Sequence, residues 1–322
     1  MKTAYRTAYG PPEILTVREV AIPEPRRGEI LVRVHAATVN RTDCGALWGK
    51  PYVFRFFVGW PRPRAVATGS DFAGEVVATG PNAARFSVGD RVMGFNDNGL
   101  GSHAQYLRVS ERQPIVPIPE GVSFENAAAS MEGAHYARNF IDRIPLRPGD
   151  AVLVNGATGA IGSAAVVLLK RAGAHVTAVC AEPHRDAVAT LGADRTVDYK
   201  RGPFTDQLRG ETFAFVFDAV GKSHFAACRP LLKTTGAYVS SELGPWCQNI
   251  FLALAAPAMR GPKVRFPIPM DIPRTLGLIA PLLAQGVYQP LIDRHYPLEE
   301  IREAYAYVAS GQKIGNVLLT LT

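Results

Sequence analysis

The sequence predicts a chain of two domains, a β-rich domain and an α/β domain built on a doubly wound parallel sheet. Three observations predict this fold class. Short alternating segments separated by glycine and proline fill about the first 118 of the 322 residues, apolar strands alternate with helical segments after that, and a glycine-rich turn joins one of these strands to its helix. A chain of this length can also form two separate cores.

Alternation of apolar and polar side chains in the first domain is clearest at 29–35, and similar patterns occur at 74–79 and 90–93. This period of two is typical of strands with one buried face. We therefore expect a barrel-like β domain.

Strand and helix patterns alternate in the second domain. Ser123 can cap a helix through residues 127–129, and Pro148-Gly149-Asp150 marks a turn before the next strand. Strands are expected at 151–155, 175–180, 213–218 and 237–241, with helices at 162–172 and 185–191.

A proline-rich passage at 261–273 interrupts this alternation, and a helix at 275–285 and a strand at 316–321 follow. We predict that the chain returns there to the first domain. Residues 1–118 and 265–322 then form the β domain, and residues 119–264 form the parallel-sheet domain.

Composition narrows the class of protein. The chain is 47% hydrophobic and 20% charged, as in soluble globular proteins. Its longest apolar stretch, 250–259, is shorter than the ~20 residues that span a bilayer, and we interpret it as buried core or a subunit contact. The amino terminus lacks an apolar signal segment, so we expect a cytoplasmic protein with no membrane partner.

The net charge of +7 is spread along the chain without a basic run. We therefore expect no nucleic-acid partner, and some attraction for a phosphorylated ligand. The four cysteines, Cys44, Cys180, Cys228 and Cys247, form no CxxC pair, which argues against a structural zinc site or a disulfide scaffold.

The glycine-rich turn after residues 151–155 is typical of the first βαβ unit of a dinucleotide-binding domain. Gly159 lets the backbone approach a pyrophosphate, and Gly162 lets the helix pack closely on the strand. Ala157 stands where the first glycine of the motif usually falls. The residues whose backbone is expected to hold the pyrophosphate are Thr158, Gly159, Ala160 and Ile161. The alternative is a strand–helix turn that binds nothing.

Cofactor choice depends on the end of the second strand, where an acid would accept the hydroxyls of an adenine ribose. That strand ends at Cys180, which we assign to the cofactor site, and Glu182, two residues further on, could still reach the ribose. Four side chains suit a 2′-phosphate: His184, Arg185, Tyr199 and Lys200. We therefore expect NADP(H) rather than NAD. The alternative is that Arg185 and Lys200 are ordinary solvated charges.

A set of short motifs occurs along the chain in a characteristic order. They are Val39-Asn-Arg-Thr-Asp43, Gly69-Ser-Asp-Phe-Ala-Gly74, Val88-Gly-Asp-Arg-Val92, the glycine turn, Leu191-Gly-Ala-Asp194, Phe217-Asp-Ala-Val-Gly221 and Lys313-Ile-Gly-Asn-Val317. With them the sequence resembles the zinc-free quinone oxidoreductase-like branch of the medium-chain dehydrogenase/reductase superfamily. The resemblance implies a GroES-like β-barrel domain, formed by both chain ends, and a Rossmann domain, with the active site in the cleft between them.

Zinc-bearing members of this superfamily carry a cysteine where this chain has Asn40, and Gly-His-Glu where it has Gly69-Ser70-Asp71. Their lobe of four close cysteines is also missing. Amide and hydroxyl groups do not replace thiolate and imidazole as zinc ligands. The resemblance therefore implies metal-free hydride transfer to a small electrophilic carbonyl substrate, a quinone or an α,β-unsaturated carbonyl compound.

The resemblance places Asn40, Asp43 and Tyr52 at the catalytic centre. The Asn40 amide can donate to the substrate oxygen or to the nicotinamide, and Asp43 is expected to hold its loop by accepting from backbone amides. Tyr52 can donate a hydrogen bond or a proton, unless it is a packed aromatic of the segment 52–57. Solvent is an alternative proton source.

Val220 and Asn316 complete the predicted cofactor site, and Lys313 could close over the cofactor. His135 is expected to be structural.

Two other functions stay open, an enoyl-thioester reductase that uses Tyr52 as donor and a non-catalytic NADPH-binding module. Relatives often pair the edge strands of their Rossmann sheets, so a homodimer is expected.

Overall fold

The computed structural model describes residues 1–50, 52, 55–64 and 66–321. Its contacts divide the chain into two compact units. Unit 1 comprises Met1–Glu132 and Asp271–Thr322, and unit 2 comprises Gly133–Met270.

The elements are numbered in chain order. The strands are β1 (Lys2–Tyr5), β2 (Thr16–Glu19), β3 (Glu29–Val39), β4 (Asp71–Thr79), β5 (Arg91–Phe95), β6 (Tyr106–Ser110), β7 (Ile115–Pro117), β8 (Ala151–Asn155), β9 (His175–Cys180), β10 (Arg195–Asp198), β11 (Phe213–Asp218), β12 (Leu232–Val239), β13 (Lys263–Arg265), β14 (Ile292–Pro297) and β15 (Asn316–Thr320). The helices are α1 (Arg41–Trp48), α2 (Arg55–Val58), α3 (Phe124–Ala129), α4 (Met131–Ile141), α5 (Ala160–Arg171), α6 (Arg185–Thr190), α7 (Phe204–Gln207), α8 (Phe225–Cys228), α9 (Gln248–Ala255), α10 (Ile272–Ala284) and α11 (Ile301–Ser310).

Unit 1 is built on a seven-stranded sheet in the order β14-β15-β3-β4-β5-β7, with β6 also paired to β3. The strands expected at 29–35 and 74–79 lie within β3 and β4, which pair antiparallel. Their alternate side chains enter a core that includes Phe72 and Tyr305.

Unit 2 contains a parallel sheet of six strands in the order β10-β9-β8-β11-β12-β13. The chain runs outward from β8 through β9 to β10, then returns to the other side of β8 and runs outward from β11 to β13. The predicted doubly wound parallel sheet is therefore confirmed. The direction of winding reverses between β8 and β11, and ligands of such folds bind at the carboxyl ends of strands at this point.

The contacts place the unit boundaries later in the chain than the positions 118 and 264 expected from sequence. Helix α3, capped as expected by the Ser123 hydroxyl at 3.1 Å from the Asn126 amide, packs on β3, β4 and β15, so its segment joins unit 1. At the other end, Asp271 caps α10 by accepting from the Arg274 amide at 3.1 Å. This cap starts α10 at Ile272, three residues before the expected position.

The apolar stretch 250–259 is not buried core, and that interpretation was wrong. It lies largely in α9, where Phe251 is 66% and Leu254 74% exposed. The alternative interpretation, a subunit contact, stays a prediction. In the part of the chain that the structure describes, no helix has both the length and the apolar character to cross a membrane.

Candidate functional site

The turn between β8 and α5 is shaped by three glycines. Gly156 follows β8 directly with a φ of +81°, a conformation that side chains disfavour, and a Cβ there would lie 2.8 Å from the Cβ of Val220. The tight turn thus depends on Gly156, one residue before the position where the sequence motif shows Ala157. No role for Gly156 was predicted from sequence, because the first glycine of the motif is expected one residue later, at Ala157.

Gly162 and Gly159 act in different ways. A Cβ on Gly162 would lie 2.1 Å from the Gly156 carbonyl oxygen, so this glycine is required for the packing of α5 on the turn. A Cβ on Gly159 would meet only that same oxygen, at an ordinary 3.4 Å. The backbone at Gly159 is therefore approachable from outside.

Helix α5 begins at Ala160, with Gly159 as its extended N-cap residue. A helix leaves its first amides without intrahelical acceptors and carries a partial positive charge at this end. Because the helix follows an open glycine at the winding reversal of the sheet, the turn fits the pyrophosphate of a dinucleotide. Thr158 and Ile161, the other predicted contacts, are both partly exposed.

A buried carboxylate fixes the neighbouring strand ends. Asp218, the last residue of β11, accepts from the Asn155 side-chain amide at 3.0 Å and from the Tyr238 hydroxyl at 2.7 Å. It also accepts from the backbone amides of Val220 at 3.3 Å and Gly221 at 3.1 Å. The last residues of β8 and β11 are thus tied to each other, and the partly exposed Val220 is held beside the glycine turn.

The carboxyl ends of β9 and β10 lie side by side, with Cys180 opposite Asp198. Cys180 is buried, and burial raises the pKa of its thiol to about 11, so the thiol is neutral and a weak donor. Glu182, just beyond, lies 3.5 Å from Arg185 and 3.6 Å from Arg201.

The predicted phosphate contacts surround this pair of strand ends. Arg185 starts α6, directly after His184, and Tyr199 and Lys200 follow β10. Tyr199 is exposed, and Arg185 and Arg201 are also more than half exposed. Arg201, which directly follows Lys200, was not among the residues predicted from sequence.

Asn40 and Asp43 meet in unit 1 at the start of α1. The Asn40 Oδ1 accepts from the Asp43 amide at 2.9 Å, and the Asp43 carboxylate accepts from the Asn40 amide at 3.0 Å. This capping box gives Asp43 the loop-holding bonds expected from sequence. The Asn40 side-chain amide also donates to the Ser70 hydroxyl at 3.1 Å, and Asn40 is only 2% exposed.

Tyr52 is 61% exposed, and the guanidinium of Arg55 lies 4.8 Å from its ring centroid. The alternative of a packed aromatic is therefore wrong for Tyr52 itself, while positions 53 and 54 of that segment lie outside the described residues. A role as donor stays a prediction.

The remaining predicted residues are more buried. The Asn316 amide donates to the Leu291 carbonyl at 2.9 Å, and Lys313 donates to the Gly315 carbonyl. These bonds hold the loop before β15, and the expected cofactor contacts stay predictions. His135 lies fully buried in α4 against Tyr136, as expected for a structural histidine.

Two family models match the chain. One described as "Alcohol dehydrogenase GroES-like domain" covers residues 26–120, and one described as "Zinc-binding dehydrogenase" covers residues 191–319. A chloroplastic quinone-oxidoreductase homolog of Spinacia oleracea is 28% identical over 309 residues, which is 94% of this chain and 92% of the relative. The 2-methylene-furan-3-one reductase of Solanum lycopersicum is 27% identical over 331 residues, 99% of this chain and 79% of the relative.

Among solved structures, the Escherichia coli quinone oxidoreductase complexed with NADPH superimposes with a TM-score of 0.83 at 21% identity. The match covers 99% of this chain and 100% of that one. The chain belongs to the quinone oxidoreductase-like branch of the medium-chain dehydrogenase/reductase superfamily. The expected GroES-like and Rossmann folds are confirmed, and the chain is an oxidoreductase.

This family membership bears on two features of unit 2, the open turn at Gly159 and the basic residues that follow β9 and β10. In such folds, these two features are where a nucleotide pyrophosphate and an adenosine ribose are held. The structure also identifies residues that sequence reasoning did not connect, above all Asp218 with Tyr238. Their partnership joins positions 20 residues apart, and no local motif announces it.

Proposed function

We propose that the protein reduces a quinone or an α,β-unsaturated carbonyl compound with NADPH, and that it does so without zinc. The observation that carries this proposal is the open glycine at position 159 at the start of α5, at the winding reversal of the sheet. NADPH, when bound, supplies a hydride.

In this proposal the amides from Thr158 to Ile161 hold the pyrophosphate. Arg185 and Arg201, with His184, Tyr199 and Lys200 around them, hold the 2′-phosphate, because guanidinium groups suit a doubly charged phosphate. The carboxylate of Glu182 lies between the two arginines and keeps them near each other before the phosphate arrives.

Zinc independence rests on the donor set. The oxygen of the Asn40 amide already accepts from the Asp43 backbone, and its nitrogen donates to Ser70. Neither group offers a zinc ion the thiolate or imidazole that it prefers. Developing negative charge on the substrate oxygen is instead met by hydrogen-bond donors, for which Tyr52 and the second hydrogen of the Asn40 amide are the candidates.

The cofactor assignment is tested by binding of NADPH and NADH to wild type, Arg201→Ala and Glu182→Gln. Arg201→Ala should weaken NADPH binding about tenfold, the value of one charge-assisted contact, and leave NADH unchanged. Glu182→Gln should strengthen NADPH binding, since it removes a negative charge beside the phosphate. If Glu182 instead holds ribose hydroxyls, Glu182→Gln weakens NADH binding, and that result contradicts the assignment.

Arg195→Ala is the matched control, because Arg195 is an exposed arginine paired with Glu211 at 2.9 Å at the opposite end of β10. Its loss should change the affinity for neither NADPH nor NADH.

The substrate class is tested by NADPH oxidation with quinones, enones and a crotonyl thioester, with and without a chelator. Preference for the thioester favours the enoyl reductase alternative, and loss of activity in chelator contradicts zinc independence. Tight NADPH binding without any turnover indicates the non-catalytic alternative.

We also propose a homodimer formed through β13, an edge strand of the sheet, and the exposed apolar side of α9 beside it. Phe251 and Leu254 in α9, and Trp246 just before it, are large, exposed side chains. Sedimentation at micromolar concentration tests the proposal. The cytoplasmic location stays a prediction.

A further inference from the structure

A hydroxyl and a carboxyl from distant parts of unit 1 meet at the start of two helices. Thr42 lies in the first turn of α1 and is half-buried. Its hydroxyl lies 2.5 Å from Oε1 of Glu132, which is in the first turn of α4 and only 6% exposed. Thr42 therefore connects a buried carboxyl with a more accessible surface.

The surroundings of Glu132 favour its neutral form. Burial has the largest effect and raises the pKa of Glu132, whereas the hydrogen bond from Thr42 lowers it. The negative charges of Asp71, Asp97 and Asp43 add to the increase. Lys313 opposes this, but burial lowers the pKa of Lys313 itself. The net effect favours the protonated form of the Glu132 carboxyl.

Two of the neighbouring carboxyls have evident structural partners. Asp43 closes the capping box of α1, and Asp71 accepts from both the backbone amide and the hydroxyl of Thr38, which ties β4 to β3. Glu132 differs from them because its partner, Thr42, is only half-buried, whereas Asn40 and Thr38 are almost wholly buried. A buried acid connected to the surface through a hydroxyl is the arrangement that a proton donor requires.

We propose that Thr42 and Glu132 form a proton relay that protonates the reduced substrate. This inference rests on the proposed function, in which NADPH is the two-electron reductant and a quinone or enone is reduced. After hydride addition the substrate is an anion. It takes the Thr42 hydroxyl proton, so an O–H or C–H bond forms on the substrate as the Thr42 O–H bond breaks.

Glu132 restores Thr42 in the same step, so no free threonine alkoxide is formed. The carboxyl O–H bond of Glu132 breaks as the Thr42 O–H bond forms again, which leaves a Glu132 carboxylate. Water returns a proton to that carboxylate before the next turnover. Thr42 is the residue that would touch the substrate, and Glu132 acts through it.

The proton on Glu132 can be observed without turnover. Infrared difference spectra of the protein alone, recorded between about pH 6 and pH 9, should contain a carboxylic-acid band that disappears in Glu132→Gln. Thr42→Val should shift this band, because it removes the hydrogen bond. A Glu132 band absent at pH 6 would overturn the relay, since no proton would be stored.

Kinetics test the transfer itself. With an enone, Thr42→Val and Glu132→Gln should each lower kcat about 100-fold and leave the KM for NADPH unchanged, because general acid catalysis contributes roughly 10²–10⁴-fold. Thr42→Ser should restore most of the rate. The wild-type kcat should fall at alkaline pH as Glu132 loses its proton, and this fall should be absent in Glu132→Gln.

Ser123→Ala is the control, because it also removes a hydroxyl hydrogen bond in unit 1, at the cap of α3, and should keep the wild-type kcat. An electron-poor quinone should be less affected by Thr42→Val than an enone, since its hydroquinone anion needs no immediate proton. An active wild type with an equally active Thr42→Val overturns the relay alone. A wild type inactive with every acceptor overturns the proposed function together with the relay.

Discussion

Replacing Gly159 by alanine should separate cofactor binding from folding. The backbone there has φ −73° and ψ 168°, which alanine adopts freely, and the new Cβ would meet only the Gly156 carbonyl oxygen at 3.4 Å. Alanine is a poorer N-cap residue than glycine by about 1 kcal/mol, but it lowers the entropy of the unfolded chain by a compensating ~0.4–1 kcal/mol. The free energy of unfolding should therefore change by less than about 1 kcal/mol.

NADPH affinity should respond differently. The added methyl group occupies the surface that a pyrophosphate must approach, and the loss of one hydrogen bond to a charged group costs about 1.5–3 kcal/mol. This corresponds to an affinity about 10- to 150-fold weaker. Isothermal titration with NADPH and urea unfolding of the same preparation measure the two quantities.

Two other glycine substitutions serve as comparisons for Gly159→Ala. Gly162→Ala would place a Cβ 2.1 Å from the Gly156 carbonyl oxygen and 2.9 Å from the Ala157 Cα. It should therefore lower the free energy of unfolding by about 1–3 kcal/mol and also weaken NADPH binding. Gly277→Ala, in open space within α10, should keep wild-type affinity. A Gly159→Ala protein that binds NADPH as tightly as wild type would refute the reasoning.

Three further outcomes are expected. Tyr238→Phe should lower the free energy of unfolding by about 1–3 kcal/mol in urea titrations, because Asp218 loses a buried donor; an unchanged stability would contradict this role. Burial raises the pKa of Asp71 from 3.8 to about 7, so the folded state retains a proton that the unfolded state releases, and wild-type stability should fall between about pH 4 and pH 7. Asp71→Asn should make that fall smaller by up to about 4 kcal/mol between pH 4 and pH 8, and the part that remains comes from the raised pKa of Glu132; parallel pH profiles for the two proteins would contradict it. Leu254→Lys should convert the dimer to monomers in sedimentation, and a wild type that is already monomeric would exclude the proposed interface.

Features that depend on local sterics could be predicted from the sequence. Close packing of α5 on the turn requires that Gly162 lack a Cβ, and the Ser123 cap requires one hydroxyl beside a helix start. The parallel direction of the strands follows from the alternation of strands and helices, because a crossover helix joins strands that run the same way. These constraints act between neighbours in sequence, and patterns therefore record them.

Features that depend on tertiary packing could not be predicted. Thr42 and Glu132 are 90 positions apart, and neither stands in a motif that indicates its partner. The sequence shows that Asn40 carries an amide but not how that amide is placed. Its bonds to Asp43 and Ser70 and its almost complete burial come from tertiary packing. The exposed side of α9 is as apolar as a buried helix. Only the positions of the neighbouring elements decide whether such a segment is buried or exposed.

A crystal structure of the protein with bound NADPH tests the central claim most directly. The account predicts pyrophosphate oxygens about 3 Å from the backbone amides of Ala160 and Ile161, and the 2′-phosphate beside Arg185 and Arg201. A nucleotide bound elsewhere with this turn empty, or a metal ion held beside Asn40, would contradict it.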